Sequence, residues 1–454
     1  MNYPVWTPPI LGGGMIIGII AILHVFVSHF AIGGGLFLPV TERKAYRENN
    51  PALLEYARSH SRFFVLVVLV FGAVSGVGIW WSIALVNPEA TATLIHVFVW
   101  GWAIEWVFFI VEIAAAFIYY HGWDRLDRRT HLIVGWIYFG AAWASLFVIN
   151  GILTFMLTPG RWLETHSFAA AFFNPGMLPS CVARTAVAVA LAGVYALVTA
   201  STVRDVALRS EVVQYAAKWL LAGTAAIPIA GLWYISTLPP AARDISMGGA
   251  PAVTIFAGLS IFFSAAVVIF TYFGPYQRPR HFNLTFAFLL AVMALSSTGV
   301  TEWVREAVRK PYIIYDYMLA NGVRVDDLPR LRQEGILKSA LWARHREVDP
   351  KALESTGQEI FRAQCASCHT VNGYNSVRFA VKGWRWILID YQLSHLSEVK
   401  GFMPPFVGTE EERKALGAWL ATLNPTPATV EIEPPPPGEK AQVQPAPSSG
   451  ESKP

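Results

Sequence analysis

Cys365, Cys368 and His369 stand together in the run Cys365-Ala366-Ser367-Cys368-His369. Two thiols at this spacing reach the two vinyl groups of one porphyrin, and the adjacent imidazole reaches its iron from the same side. The motif predicts a covalently attached c-type haem, against a chance match in a loop or half of a zinc site. Its surroundings favour the haem. Ala352 to Gln364 reads as an amphipathic helix, and Glu410 to Leu423 as another, with Leu416, Trp419, Leu420 and Leu423 on one face. Between them, Gly401-Phe402-Met403-Pro404-Pro405-Phe406 sets a methionine in a proline-stiffened loop. The remaining cysteine, Cys181, stands alone, so no disulfide framework is implied.

A second set of reactive residues lies within apolar sequence, where charge is costly and therefore points to function. The first apolar run carries His24 and His29, and the third carries Glu105 and Glu112, which share one helical face. Glu302 and Glu306 close the eighth run beside Arg305 and Arg309, while His96 and His131 open the third and fourth. At ~1.5 Å per residue, His24 and Glu105 both fall roughly 15 Å below the outer surface, with Glu112 about two turns deeper. Singly, each residue fits a structural role. At matched depth, they describe a haem-binding interior with a proton path.

The elements that must position these groups follow from composition. Of 454 residues, 54% are hydrophobic and 15% charged, against ~25% charged in soluble proteins. Apolar runs at 14–40, 63–86, 94–120, 132–157, 182–202, 217–237, 252–273 and 282–301 can each cross a bilayer core, which takes ~20 residues. Arg43, Lys44, Arg47, Arg58, Arg62, Arg125, Arg128, Arg129, Arg204, Arg209, Lys218, Arg278 and Arg280 fall in or beside the odd-numbered loops. The even loops hold only Arg161 and Arg243. This asymmetry predicts the odd loops in the cytoplasm and both termini outside. The net charge of +4 belongs to that topology and does not point to nucleic acid. Met1 to Leu11 has no basic n-region, so the first run reads as a retained helix.

The expected fold is all-α: a polytopic membrane bundle over 1–301, a charged connector over 302–350 and a small soluble domain over 351–424. The tail 425–454, with Pro434 to Pro437 and Ala446-Pro447-Ser448-Ser449-Gly450, reads as disordered. No internal repeat is visible.

The layout of the soluble domain resembles a class I cytochrome c, which implies Met403 as the second axial ligand and haem attachment outside the cytoplasm. The membrane part resembles subunit I of cytochrome bd-type terminal oxidases. The residues that carry this are His24 with Gly33, Ala103-Ile104-Glu105 to Glu112, Gly122-Trp123-Asp124-Arg125-Leu126, and Glu306-Ala307-Val308-Arg309-Lys310-Pro311-Tyr312. The resemblance implies non-covalent high-spin haems of type b and/or d. His24 and Glu105 (one residue off the usual spacing) would ligate one haem and Glu306 the other, with Glu112 on the proton route and Arg309 at haem propionates.

Three departures from that family bear on function. Its low-spin haem b requires a histidine early in the fifth helix and a methionine in the seventh, where Ala183 and Phe256 stand here. The external loop that helps bind quinol is cut to Leu238–Pro251. In place of a ninth helix there is the haem c motif. The expectation is a bd-like oxygen reductase subunit of a bacterial inner membrane, fed through its own haem c by a cytochrome c or a membrane redox protein. A second, related membrane subunit is the implied partner. Rival readings are a non-catalytic electron-transfer subunit, a reductase of another small oxidant such as nitric oxide, and a quinol-linked oxidase.

Overall fold

A computed structural model describes residues 3–399 and 401–424. The tail expected to be disordered lies outside the described residues. Eight helices are long and apolar enough to cross a membrane: α1 (Gly12–Arg47), α2 (Pro51–Val86), α3 (Val99–Gly122), α4 (Arg128–Phe155), α5 (Met177–Ala200), α6 (Val206–Ser236), α7 (Pro251–Tyr276) and α8 (Leu284–Ala307). The all-α membrane bundle expected from the apolar runs is therefore present.

The starts of the even-numbered helices share one device. Asn50, Asp127, Asp205 and Asn283 each accept a hydrogen bond from a backbone N–H of the first turn. Such caps supply an acceptor that the helix itself lacks at its N-terminus. They explain why α2 begins at Pro51, well before the apolar run at 63: Asn50 and the proline start the helix in polar sequence. One run is also interrupted. The third run breaks at Phe98, so His96 lies on the short helix Pro88–Val97 and not on α3.

Helix α1 packs against α2, α4, α5 and α8. A Cβ on Gly33 would stand 1.8 Å from the Ala188 carbonyl oxygen of α5, so only glycine permits this approach. Small residues at crossings are the usual route to close helix packing in lipid, where burial of apolar surface drives nothing.

After α8 the chain leaves helical form. Contrary to the all-α expectation, β1 (Tyr312–Ile314) and β2 (Met318–Leu319) pair antiparallel in a small hairpin. Helices α9 (Leu353–Gln364), α10 (Trp386–Ser394) and α11 (Glu410–Thr422) follow. One apolar cluster runs from Leu319, Leu331 and Ile336 through Ile360 and Phe361 to Leu416, Trp419 and Leu420. Glu412, 3% exposed, binds this unit together. Its carboxylate accepts from the backbone N–H groups of Ile336 (2.8 Å), Leu337 (2.9 Å) and Thr409 (3.1 Å).

Glu412→Ala strands those donors, each unpaired buried group costing ~1–3 kcal/mol. The expected loss is about 2–4 kcal/mol, read as a lower urea midpoint of the C-terminal unit by near-ultraviolet circular dichroism. An unchanged midpoint would show that the donors find other acceptors.

Candidate functional site

The Cys-x-x-Cys-His run is built on the end of α9. Cys365 closes that helix, and the N–H groups of Cys368 and His369 turn back to its carbonyl at 3.1 and 2.9 Å. His369 Nδ1 lies 3.0 Å from the Asn375 carbonyl. A carbonyl only accepts, so Nδ1 carries the proton and Nε2 presents its lone pair. This is how proteins orient a metal-binding imidazole. Burial lowers the His369 pKa, favouring the neutral ring. The Cys365 thiol is pushed up to about 12 by burial, whereas Cys368 is exposed.

Met403 is half-buried in the loop before α11. That loop is tied to the motif through Gln364, the residue before Cys365. Its amide donates to the Val407 carbonyl (2.6 Å) and accepts from the Val407 N–H (2.9 Å).

In the membrane part, His24 is oriented by a similar device. Its Nδ1 lies 3.1 Å from Ser75 Oγ of α2, and that hydroxyl donates to the Phe71 carbonyl at 2.7 Å. With its hydrogen so used, Ser75 accepts from His24 Nδ1, and Nε2 is again left with a lone pair. The preceding stretch, Leu66–Gly72, is π-helical, a distortion frequent at functional sites. Next to it, a Cβ on Gly76 would stand 3.2 Å from His24 Cε1.

Glu105 accepts from Ser145 of α4 at 3.0 Å, and Glu112 from Tyr138 of α4 at 3.0 Å. His24 thus leans on α2 and Glu105 on α4. Among the described residues no hydrogen bond joins them, although both lie in the same bundle.

At the other end of α8, Glu306 pairs with Arg309 and with Lys310 (3.1 Å), and Glu302 with Arg305 (2.8 Å). His29 and Arg184 lie within electrostatic reach of Glu302. Arg184, Arg305 and Arg309 line one small cavity with Ser180 and Tyr234. The Nε atoms of Arg184 and Arg309 are buried without a hydrogen-bond partner. Four cationic side chains (Arg184, Arg305, Arg309, Lys310) therefore face two carboxylates. Such an excess of positive charge suits an anion with two carboxylates, which is what a haem presents through its propionates. The sequence reading gave Arg184 no role. Its signal was a lone arginine just inside the fifth apolar run.

Neither Phe256 nor Ala183, the two positions singled out in the sequence, carries a side-chain donor. Phe256 stacks on Trp303 of α8 with centroids 4.0 Å apart, and Ala183 has only a methyl group.

Residues 15–239 match the family described as cytochrome bd terminal oxidase subunit I. Residues 352–420 match the family described as cytochrome C oxidase, cbb3-type, subunit III. The fold is similar to the structure of bd oxidase from Geobacillus thermodenitrificans, with a TM-score of 0.57 and 16% identity over 66% of this chain and 87% of that one. The membrane part resembles cytochrome bd terminal oxidase subunit I in sequence and in fold. No curated protein matches the chain. The resemblance supports a membrane-bound oxidoreductase of the terminal-oxidase kind with haem-type cofactors.

The two cysteines differ in exposure, and burial raises the pKa of the Cys365 thiol. In a chain made without haem attachment, iodoacetamide at pH 8 should label Cys368 at least about tenfold faster than Cys365, because only a thiolate reacts. Peptide mass spectrometry after a short pulse checks this, and equal labelling would contradict the lower exposure and raised pKa of the Cys365 thiol.

Proposed function

We propose that the chain is a bd-like oxygen reductase subunit that receives electrons through its own haem c and reduces dioxygen at a buried high-spin haem site. The observation that carries the reading is where the Cys-x-x-Cys-His loop rests. Tyr374 donates its N–H to the Ile10 carbonyl at 2.7 Å, and the Ser367 carbonyl lies 3.9 Å from where a Gly14 Cβ would stand. The motif is thus seated on the first turn of α1. His24 is ten residues further along the same helix, about 15 Å by the helical rise.

In this reading Cys365 and Cys368 would carry the porphyrin, and His369 and Met403 would hold its iron. His/Met ligation raises a haem's potential and suits an electron carrier. His24 and Glu105 would hold one non-covalent haem of type b or d, and Glu306 the other. Arg184, Arg305 and Arg309 hold propionates, which answers the unpartnered Nε atoms. Within the site the haems supply iron for oxygen reduction, and the chain supplies ligands, charge balance and protons. Glu112, hydrogen-bonded to Tyr138, delivers protons toward Glu105.

The absence of donors at Ala183 and Phe256 favours electron arrival at the haem c end over quinol oxidation. A donor protein, either a cytochrome c or a membrane redox protein, then docks outside the membrane. The bundle lies in a bacterial inner membrane with both ends of the chain outside, as the basic loops require. A second membrane subunit of the bd type, or a paralogue, completes the complex. The intramembrane carboxylates argue against a purely structural subunit, since charge kept in lipid is costly.

Purified from membranes, the chain should contain haem c together with non-covalent haem, and oxygen uptake should follow reduced cytochrome c and not quinol. His24→Ala should lose most of the high-spin haem signal while the haem c spectrum persists. Met403→Ala should lower the haem c potential in a redox titration. Haem c alone in the wild-type chain would replace the catalytic reading with that of a carrier subunit.

A further inference from the structure

Helices α3 and α4 run antiparallel and meet in three polar rungs at seven-residue spacing. Glu105 pairs with Ser145, Glu112 with Tyr138, and Tyr119 with His131. The spacing of seven puts each rung about two turns, ~10 Å, beyond the last. The third rung lies at the end of the bundle that carries the basic loops, and α1 adds Glu42 to it. His131 Nδ1 is 2.9 Å from Glu42 Oε1, His131 Nε2 is 2.9 Å from the Tyr119 carbonyl, and Tyr119 donates its hydroxyl to Glu42 Oε2 at 2.8 Å. The side chains of Glu42 and His131 are 0% and 3% exposed.

We propose that the Glu42–His131–Tyr119 triad is a proton-loading site that supplies Glu112. The inference rests on the oxygen-reductase reading and extends its proton path to a named beginning. The argument is one of hydrogen-bond inventory. A neutral imidazole has one N–H, but both ring nitrogens of His131 face acceptors. Either neutral tautomer beside an ionised Glu42 would set a nitrogen lone pair against an oxygen lone pair at 2.9 Å. Both His131 contacts are attractive together only when the pair holds one further proton, as imidazolium and carboxylate or as imidazole and carboxylic acid.

Stability alone gives little reason for such a pair, because a buried ion pair rarely outweighs the cost of desolvating it. Aromatic rings and paired charges surround it. Tyr119 stacks on His131 at 4.2 Å and Trp123 lies at 4.4 Å. Tyr46 of α1 adjoins Glu42, and Arg128 of α4 covers Tyr46 at 4.8 Å. From α2, Ser61 accepts from Trp123 (3.0 Å), and Arg58 pairs with Asp124 at the surface.

The second rung has matching chemistry. Tyr138 has one hydroxyl hydrogen and two acceptors, Glu112 Oε1 at 3.0 Å and the Ala31 carbonyl at 3.2 Å. Both contacts are satisfied together when Glu112 is protonated and donates to Tyr138. Each transfer is a proton movement without electrons. Water at the basic-loop face gives a proton to the Glu42–His131 pair. The pair then releases one across the two-turn interval to the Glu112 carboxylate, which gains an O–H bond, and is reloaded from water. An interval of ~10 Å is longer than one water can bridge, so the transfer requires a chain of at least two waters.

The test uses the complete haem-loaded complex in membrane vesicles, with Glu42→Gln, His131→Gln, their combination and Glu42→Asp. Proton uptake is followed with a pH dye after an oxygen pulse to the reduced protein. Haem spectra check that each variant is folded and loaded, and pH-difference infrared spectra report the proton on the pair. Glu42→Gln and His131→Gln should each slow uptake at least about tenfold, within the range of general acid–base effects. Their combination should add little, and Glu42→Asp should restore most of the rate. A shared infrared band should vanish in both single variants. Wild-type uptake in both, or Glu42→Asp as slow as Glu42→Gln, would overturn the proposal. If the wild-type complex takes up no protons with oxygen, the reductase reading fails, and the infrared band alone then decides: its presence in the wild type and loss in both variants retains the triad as a proton-holding site, and its absence removes it.

Discussion

The contact between α1 and α5 at Gly33 determines where the reactive groups of the membrane part can be. A side chain there would collide with the Ala188 carbonyl, so the backbones touch and α1 is drawn into the middle of the bundle. From that position one helix serves several partners. His24 reaches Ser75 of α2, the Ala31 carbonyl meets Tyr138 of α4, and Glu42 meets His131 near the opposite end. In hydrocarbon no hydrophobic gain pulls helices together, so close packing and internal hydrogen bonds must hold α1 in place. The same groups that make its polar contacts are therefore those available for chemistry.

Two histidines in different parts of the chain are prepared in one way. His369 gives its Nδ1 proton to a backbone carbonyl, and His24 gives its own to a serine that is already committed as a donor. Each arrangement fixes the ring and leaves the Nε2 lone pair uncommitted by Nδ1's partner. His29 differs. Its Nδ1 bonds to Val25 of its own helix at 2.8 Å, and it sits among Arg184 and Glu302. Helical spacing alone does not separate His24 from His29, whereas the hydrogen-bond partners do.

Much of the fold was legible because lipid imposes a simple rule. Apolar runs of sufficient length marked all eight membrane helices, and the Cys-x-x-Cys-His motif marked its turn. Polar helix ends were not legible, since the start of α2 depends on Asn50 and Pro51 and not on hydropathy. The hairpin at 312–319 was missed because three- and two-residue strands carry no periodicity. Nor could the sequence show that Glu412 would reach Ile336 and Leu337, a contact made by chain folding over more than seventy residues. At the site, Glu105 and Glu112 were visible as charges in apolar sequence. Ser145 and Tyr138 were not, because a serine and a tyrosine in a membrane helix are ordinary. Their meaning comes only from the seven-residue match between α3 and α4.

The two ends of the bundle carry opposite electrostatic demands. At the end where the C-terminal unit is seated, Arg184, Arg305, Arg309 and Lys310 outnumber Glu302 and Glu306, and two guanidinium nitrogens lack partners. At the other end, Glu42 and His131 form a pair whose contact is favourable only with a proton between them. Between the two ends, Glu112 and Glu105 are the acidic groups of the α3 face. Separation of this kind lets a single helical bundle anchor an anionic group at one end and collect protons at the other. The polarity follows from side chains fixed on α1, α3, α4, α5 and α8, and it does not require any helix to move.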